Sequence, residues 1–173
     1  MKKSIILLSF VLLSTSIFAQ KAELTSAILS FRKQDMESAK TYVDAAEVKL
    51  NKGGTLKAKD LGKLWYHKGL IYYSLFDVSK DINLLEDAVI AFKTDTETDG
   101  SSYSKKSSNE LVRCAIAFNN AAFEKYDAKD FTAALDLFES VVEINAYDAI
   151  GKIDTSNLYN ASLMAVQAND SDK

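Results

Sequence analysis

The sequence predicts an all-α protein, and three observations carry this prediction. Apolar residues recur every three or four positions along most of the 173-residue chain, as one face of an amphipathic helix requires. The chain contains six Gly and no Pro, so few positions break a helix. We find no alternating run of Val, Ile and Thr bounded by hairpin turns, which strands would show. With 47% hydrophobic residues, the chain can bury a core.

The net charge and the small number of Cys and His residues exclude several classes of function. Lys and Arg number 21 against 24 Asp and Glu, a formal charge of −3, so the chain has no basic surface for nucleic acid or anionic lipid. One Cys cannot form an intramolecular disulfide, and one Cys with one His cannot supply the ligands of a zinc site. No cofactor, metal or nucleic-acid partner is therefore expected.

The first 19 residues predict a secretory signal peptide. Two lysines precede an apolar run from Ile5 to about Phe18, which is shorter than the roughly 20 residues that a membrane-spanning helix needs. We expect cleavage after Ala19, so that Gln20 begins the mature chain, with an uncleaved membrane anchor as the alternative. No later stretch is apolar enough to cross a membrane, so no membrane insertion is expected after cleavage.

The first half of the mature chain predicts four helices, separated by caps and turns. Two amphipathic helices come first, and Asp35 can cap the exposed N–H groups at the start of the second. Gly53 and Gly54 are expected to end that helix, because glycine adopts positive φ angles easily. A third helix is expected over roughly Asp60–Phe76 and, after a break at DVSKD, a fourth over Ile82–Lys93.

The second half begins with the most loop-like stretch, TDTETDGSS. We expect its carboxylates to form a flexible acidic turn, because their spacing lacks the central Gly and the terminal Glu of a calcium loop. A long helix is expected over about Ser104–Tyr126, Asp130 is expected to cap the next helix, and a final helix is expected over about Thr155–Ala168.

The helix pairs repeat along the chain. The segment Asn120–Asn145 resembles a tetratricopeptide repeat (TPR), which has a small residue in its first helix and Ala and an aromatic residue in its second. The same frame fits the segment that begins near Trp65 and the start of the mature chain. The resemblance implies a helix-turn-helix solenoid of about three repeats plus a terminal helix over residues 20–173. The residues it implies as repeat packing are Ala27, Ala39, Trp65, Gly69, Ala88, Phe92, Ala122, Ala134 and Phe138.

The last predicted helix resembles the first helix of a fourth repeat, with Ser162 at its small position. It is either a terminal cap or the point at which a longer natural chain has been cut, and truncation is favoured because the partner helix would begin just past Lys173. The repeats also depart from the family pattern, with a spacing of about 40 to 53 residues rather than about 34. Together with the signal peptide, they are similar to envelope proteins of the Bacteroidetes.

No catalytic pattern is present, so the protein is not expected to be an enzyme. His67 has neither a nucleophile nor an orienting acid signalled nearby. Cys114 is expected to be a small buried hydrophobe. The chain contains no GxSxG, P-loop or GxGxxG pattern.

TPR proteins bind partners on a concave face lined by their first helices, and the resemblance implies such a face here. The expected function is a non-catalytic protein-interaction scaffold, exported to the periplasm or cell envelope of a Gram-negative bacterium, that binds a peptide or helix. A binding module for a glycan or small molecule and a structural spacer in a longer envelope protein are the alternatives. The implied partner-binding residues, aromatic for the most part, are Tyr66, Leu70, Tyr73, Asn119, Phe123, Tyr126, Tyr159 and Leu163.

Overall fold

The computed structural model describes residues 21–171, which form seven α-helices and, within that range, no strand. The all-α prediction is confirmed. Residues 1–19, the predicted signal peptide, lie outside the described range, and no described helix has the length and apolar character that a bilayer crossing needs. The helices are α1 (21–32), α2 (Met36–Asn51), α3 (Ala58–Ser79), α4 (Ile82–Glu97), α5 (Ser104–Asp127), α6 (Phe131–Ala146) and α7 (Thr155–Ser171).

The predicted caps begin two of these helices. The carboxylate of Asp35 accepts a hydrogen bond from the backbone N–H of Ser38 at 3.1 Å, at the start of α2. The carboxylate of Asp130 accepts one from the backbone N–H of Ala133 at 3.2 Å, at the start of α6. Both caps satisfy N–H groups that have no partner inside the helix.

Two predicted helix ends need correction, namely the end of α3 near DVSKD and the role of Gly54 after α2. Helix α3 continues through Ser79 and ends at Lys80, which adopts a left-handed φ of 59°, and Asp81 then caps α4. After α2, Gly53 has the expected positive φ of 94°, but Gly54 does not have a positive φ. Lys80 shows that a residue other than glycine ends helix α3, and the positions of Gly and Pro in the sequence do not predict this end.

The acidic stretch is a helix end and not a flexible turn. Helix α4 runs on to Glu97, and Asp95 within it is fully buried. Its carboxyl group accepts hydrogen bonds from the hydroxyl of Ser107 at 2.5 Å and from the hydroxyl of Ser101. The prediction of a flexible turn was wrong because the hydrogen bonds from Ser101 and Ser107 offset the cost of burying the Asp95 carboxyl group.

The described chain forms two compact units, one up to Ser107 and one from Ser108 onwards. In the first unit α3 packs against both α2 and α4, and in the second α6 packs against α7. The largest fully buried apolar side chains are Leu64, Ile71, Leu85 and Phe92 in the first unit and Leu111, Phe118, Phe138 and Met164 in the second.

Small residues allow helices to approach closely. A Cβ atom placed on Gly69 of α3 would lie 2.4 Å from a ring carbon of Phe92 on α4, so only glycine fits against this ring. Trp65 is half-buried, and the ammonium of Lys68 lies 5.7 Å from its ring centroid. The other residues with an expected packing role are all buried, namely Ala27, Ala39, Ala88, Ala122, Ala134 and Phe138.

A polar cluster joins α2 to α3. The carboxylate of Asp44 accepts hydrogen bonds from the hydroxyl of Tyr72 at 2.7 Å and from the ammonium of Lys40 at 2.7 Å. One turn away, Lys68 forms an ion pair with Glu47. Burial and the Asp44 carboxylate raise the pKa of Tyr72 to about 12, so the phenol stays protonated and keeps donating. These directional contacts set how the two helices align.

Candidate functional site

An apolar pocket of about 190 Å³ opens between α5 and α7 in the second unit. Phe138 and Met164 are almost fully buried and form its floor. Three of the predicted partner-binding residues lie around them, two from α5 and one from α7. The residues that line this α5–α7 pocket are Phe123, Tyr126, Phe138, Asn160, Leu163 and Met164.

The aromatic wall of the pocket is held in place by other rings. Phe123 is 46% exposed, and its ring packs edge-on against Phe138 with centroids 5.2 Å apart. The ring of Tyr126 lies 6.1 Å from that of Phe131. Aromatic pairs at these separations are favourable beyond the area they bury. The wall is therefore ordered before any partner arrives, while part of each ring still faces solvent.

A stripe of exposed side chains on α5 leads into this pocket. Val112 and Ile116 are 41% and 57% exposed, and with Phe123 and Tyr126 they leave much apolar surface in water. Asn119 is half-buried between them. The spacing averages 3.5 residues, so all five residues share one face over about 21 Å of helix. We call residues 112, 116, 119, 123 and 126 the α5 stripe.

Two members of the stripe were not among the predicted binding residues. Val112 and Ile116 precede Asn119, the first residue of this helix that was expected on the concave face. The sequence signal that finds them is the spacing itself, because they continue the pattern set by Asn119 and Phe123 toward the start of the helix.

On α7, Tyr159 and Leu163 lie one turn apart and are 69% and 38% exposed. Leu163 lines the pocket, whereas Tyr159 is not among its lining residues. The amide of Asn160, on the pocket wall, donates a long hydrogen bond of 3.4 Å to the side-chain oxygen of Asn157. Helix α7 thus presents both apolar and amide surface at this site.

The start of α7 is held by Asp154. Its carboxylate accepts hydrogen bonds from the side chain of Asn145 at 2.6 Å and from the side chain and backbone of Asn157 at 2.9 and 3.1 Å. Burial acts to raise the pKa of Asp154, but the hydrogen bonds from Asn157 and Asn145 together lower it. The ionised group therefore ties the end of α6 to the start of α7, and so helps position the pocket wall.

The predicted binding residues of the first unit are half-buried. Tyr66 stacks on Tyr103, with ring centroids 4.9 Å apart and planes 24° from parallel. Tyr73 contacts Phe76 at 6.0 Å between centroids. Leu70 is half-buried as well. Two of these three side chains thus already contact rings of their own unit.

His67 and Cys114, the two residues that were considered for a catalytic role, are each in contact with their own helix or core. His67 Nδ1 lies 2.8 Å from the backbone oxygen of Lys63, and burial lowers the pKa of the imidazole. Cys114 is fully buried, as predicted, and burial raises the pKa of its thiol to about 12. Among the described residues, no group of three or more His, Cys, Asp and Glu is arranged to hold a metal ion.

Comparison with protein-family models and with curated proteins finds no match to this chain. The geometry of the pocket and of the α5 stripe is therefore the basis on which a function is proposed.

Proposed function

We propose that the protein is a non-catalytic interaction module that binds an amphipathic helix of another protein along the α5 stripe. One observation carries this proposal: exposed apolar side chains at helical spacing lead directly into a preformed apolar pocket. Helix-in-groove recognition uses anchors at such spacing, with one or two large side chains inserted into pockets. Covering the exposed parts of these side chains provides the driving force, at about 25 cal/mol per Å² of apolar surface.

The size of the pocket supports a side chain as its occupant. A cavity of about 150 Å³ lined by aliphatic and aromatic groups accommodates benzene. The α5–α7 pocket, at about 190 Å³, suits one aromatic or large aliphatic side chain. Sites for metabolites and drug-sized ligands are larger, about 300–1,000 Å³. A glycan or small molecule is therefore less supported than a side chain as the occupant of this pocket.

We further propose that consecutive helices pair as in a TPR, and the support comes from contacts within each unit. Glu23 and Lys49 form an ion pair of 2.6 Å between α1 and α2, which supports their pairing. The close approach at Gly69 supports pairing of α3 with α4, and the Phe123–Phe138 contact supports pairing of α5 with α6. Cysteine cross-links placed across these helix pairs test this assignment, and helices paired in any other order would contradict it.

We also propose that the chain is exported to the cell envelope of a Gram-negative bacterium. The support is the N-terminal pattern of two lysines followed by an apolar run and Ala19. N-terminal sequencing of the protein recovered from its own cells should find Gln20 as the first residue. Recovery of a chain that still begins at Met1 would contradict cleavage.

Phe123→Ala should weaken capture of the partner at least about tenfold, because it removes an aromatic anchor from the pocket wall. The partner can be identified by photo-cross-linking in the native cell, with a photoreactive residue placed at Ile116 or Tyr126, followed by mass spectrometry. Capture by the purified variant is then compared with capture by the unmodified protein.

Val166→Ala is the matched control, since Val166 is 60% exposed on α7 and does not line the pocket. Its capture should be unchanged, and circular dichroism should show the same helicity for both variants. Equal capture by all three proteins would contradict the proposed site.

A further inference from the structure

A group of aromatic rings and cations surrounds His67, the single histidine of the chain, in the first unit. The rings of Tyr66 and Tyr103 stack on each other, and the imidazole of His67 meets both edge-on, with centroids 5.4 and 5.8 Å away. The ammonium of Lys106 lies over the same two rings, 6.0 Å from the centroid of Tyr66 and 5.3 Å from that of Tyr103. Helix α3 and the start of α5 thus bring these four side chains together.

The imidazole is held through one of its two nitrogens. His67 Nδ1 lies 2.8 Å from the backbone oxygen of Lys63, and because a carbonyl oxygen can only accept, Nδ1 carries the proton. Within the described part of the chain, Nε2 has no hydrogen-bond partner. Nε2 can therefore take up a proton and donate it to a ligand.

The charges with the largest effect on this imidazole are all positive. Burial holds the pKa of His67 below its usual value, and the charges of Lys63, Arg32 and Lys106 act in the same direction, against the hydrogen bond to the Lys63 carbonyl. None of these three cations forms an ion pair with a carboxylate of residues 21–171. We call residues 32, 63, 66, 67, 103 and 106 the cation–aromatic cluster.

Other lysines of the first unit are paired with carboxylates. The ammonium of Lys21 lies 2.8 Å from Asp60, and that of Lys49 lies 2.6 Å from Glu23. The cation–aromatic cluster is thus a local excess of positive charge in a chain with a formal charge of −3. The net charge does not predict it, because its three cations come from three different helices, α1, α3 and α5.

The chemistry of the cluster favours an anion with several oxygen atoms. Guanidinium and ammonium groups only donate hydrogen bonds, as does imidazole once it is protonated. Three cations and a nitrogen that can be protonated match a doubly charged group better than a single carboxylate. Lys63 and His67 are half-buried, which reduces screening of the attraction by water. A phosphate group fits, since it carries about two negative charges near neutral pH and at least three acceptor oxygens.

We propose that the cation–aromatic cluster binds the phosphate group of a small molecule, either inorganic phosphate or a phosphate monoester. Arg32, Lys63 and Lys106 donate to its oxygens, and Nε2 of His67 takes up a proton from solvent and donates a further hydrogen bond. The site uses no residue of the α5 stripe, so it is independent of the proposed binding of a helix.

Binding should raise the pKa of His67. In the free protein the neighbouring cations and burial disfavour the imidazolium, whereas a bound dianion favours it, and an opposite charge at this range shifts a pKa by about one unit or more. Because the complex takes up a proton, the affinity for a dianion should increase as the pH falls through the pKa of His67.

The test uses untagged protein expressed from the full 173-residue sequence, since its single histidine then gives one imidazole signal in proton NMR. Calorimetric titrations with inorganic phosphate and with phenyl phosphate, at constant ionic strength, give the affinities. Tighter binding of phenyl phosphate assigns a monoester as the ligand, and equal binding assigns inorganic phosphate. The pKa of His67 is measured with and without sulfate, a dianion whose charge is constant between about pH 5 and 8.

Arg32→Gln and Lys106→Gln should each weaken phosphate binding at least about tenfold, because each removes a charged donor. Lys52→Gln is the matched control, since Lys52 is exposed in the turn after α2 and the substitution removes the same charge. His67→Gln should bind sulfate as the native protein does at high pH but lose the dependence on pH, which a merely structural role of His67 would not give. Circular dichroism should show equal helicity for all four variants.

Four results would overturn the proposal. Sodium chloride at equal ionic strength shifts the pKa of His67 as much as sulfate does, which indicates general screening. Lys52→Gln weakens binding as much as Lys106→Gln, which indicates general charge attraction. Acetate or a short peptide of glutamates binds as tightly as phosphate, which identifies a carboxylate ligand. Vesicles that contain phosphatidic acid bind while both soluble phosphates fail at millimolar concentration, which identifies a membrane surface.

Discussion

Gly69→Ala should destabilise the first unit, whereas the same substitution should stabilise it once Phe92 has been replaced by Ala. In the native protein a Cβ on Gly69 would lie 2.4 Å from the ring of Phe92, and that ring is fully buried and cannot move aside. Overpacking of this kind costs about 1–3 kcal/mol. Phe92→Ala alone should cost about 3–5 kcal/mol, because it leaves a cavity in the core.

The sign of the Gly69→Ala effect should reverse in the Phe92→Ala background. Without the ring the clash is gone, and Ala favours a helix over Gly by about 1 kcal/mol. Urea unfolding followed by circular dichroism measures all four proteins of this double-mutant cycle. Ile90→Ala is the matched control, since Ile90 is 60% exposed on the same helix and should change stability by less than about 0.5 kcal/mol. Costs that simply add would show that Gly69 and Phe92 are not in contact.

Asp95→Ala should cost about 3 kcal/mol of stability. Its carboxyl group is fully buried and accepts hydrogen bonds from Ser101 and Ser107. Removing the acceptor leaves both hydroxyl donors without their partner, and Ser107 is itself fully buried. The space left by the carboxyl group adds to the loss. The free energy of unfolding of the variant, measured in urea, checks this value.

Asp99→Ala provides the comparison, because Asp99 lies in the same acidic stretch and is exposed. Its substitution should change stability by less than about 0.5 kcal/mol. Asp95→Asn should have an intermediate effect, since an amide oxygen can still accept one of the two hydrogen bonds. If Asp95→Ala and Asp99→Ala have the same small effect, the stretch is the flexible turn that its composition predicts.

Asp95 also illustrates where prediction from sequence stops. The segment has the composition of a loop, and a carboxylate one turn after the packing residue Phe92 does not by itself indicate burial, because Asp is mostly exposed. The hydroxyl of Ser107, twelve residues away, and the absence of a side chain on Gly62 create its surroundings. By contrast, the caps at Asp35 and Asp130 were predictable, because each contacts a backbone group only three residues away.

Those parts of the candidate site that depend on spacing along a single helix were likewise predictable from the sequence. The aromatic residues of α5 were visible from the repeat pattern, and Val112 and Ile116 follow from spacing along one helix. The pocket was not, since it requires Phe123 of α5 to meet Phe138 of α6 and Met164 of α7. The grouping of Leu135 and Val142 of α6 with Leu158 of α7 likewise depends on which face of α6 lies beside α7.

By itself, the sequence determined that residues 21–171 form α-helices and no strand, and where several of these helices begin. Apolar periodicity and side-chain caps act between residues four or fewer positions apart, so the local sequence contains the whole interaction. Only the tertiary structure decided that Asp95 is buried and that the α5 stripe is exposed and leads into a pocket. Burial depends on contacts between residues distant along the chain, and their packing sets which apolar surface is left for a partner.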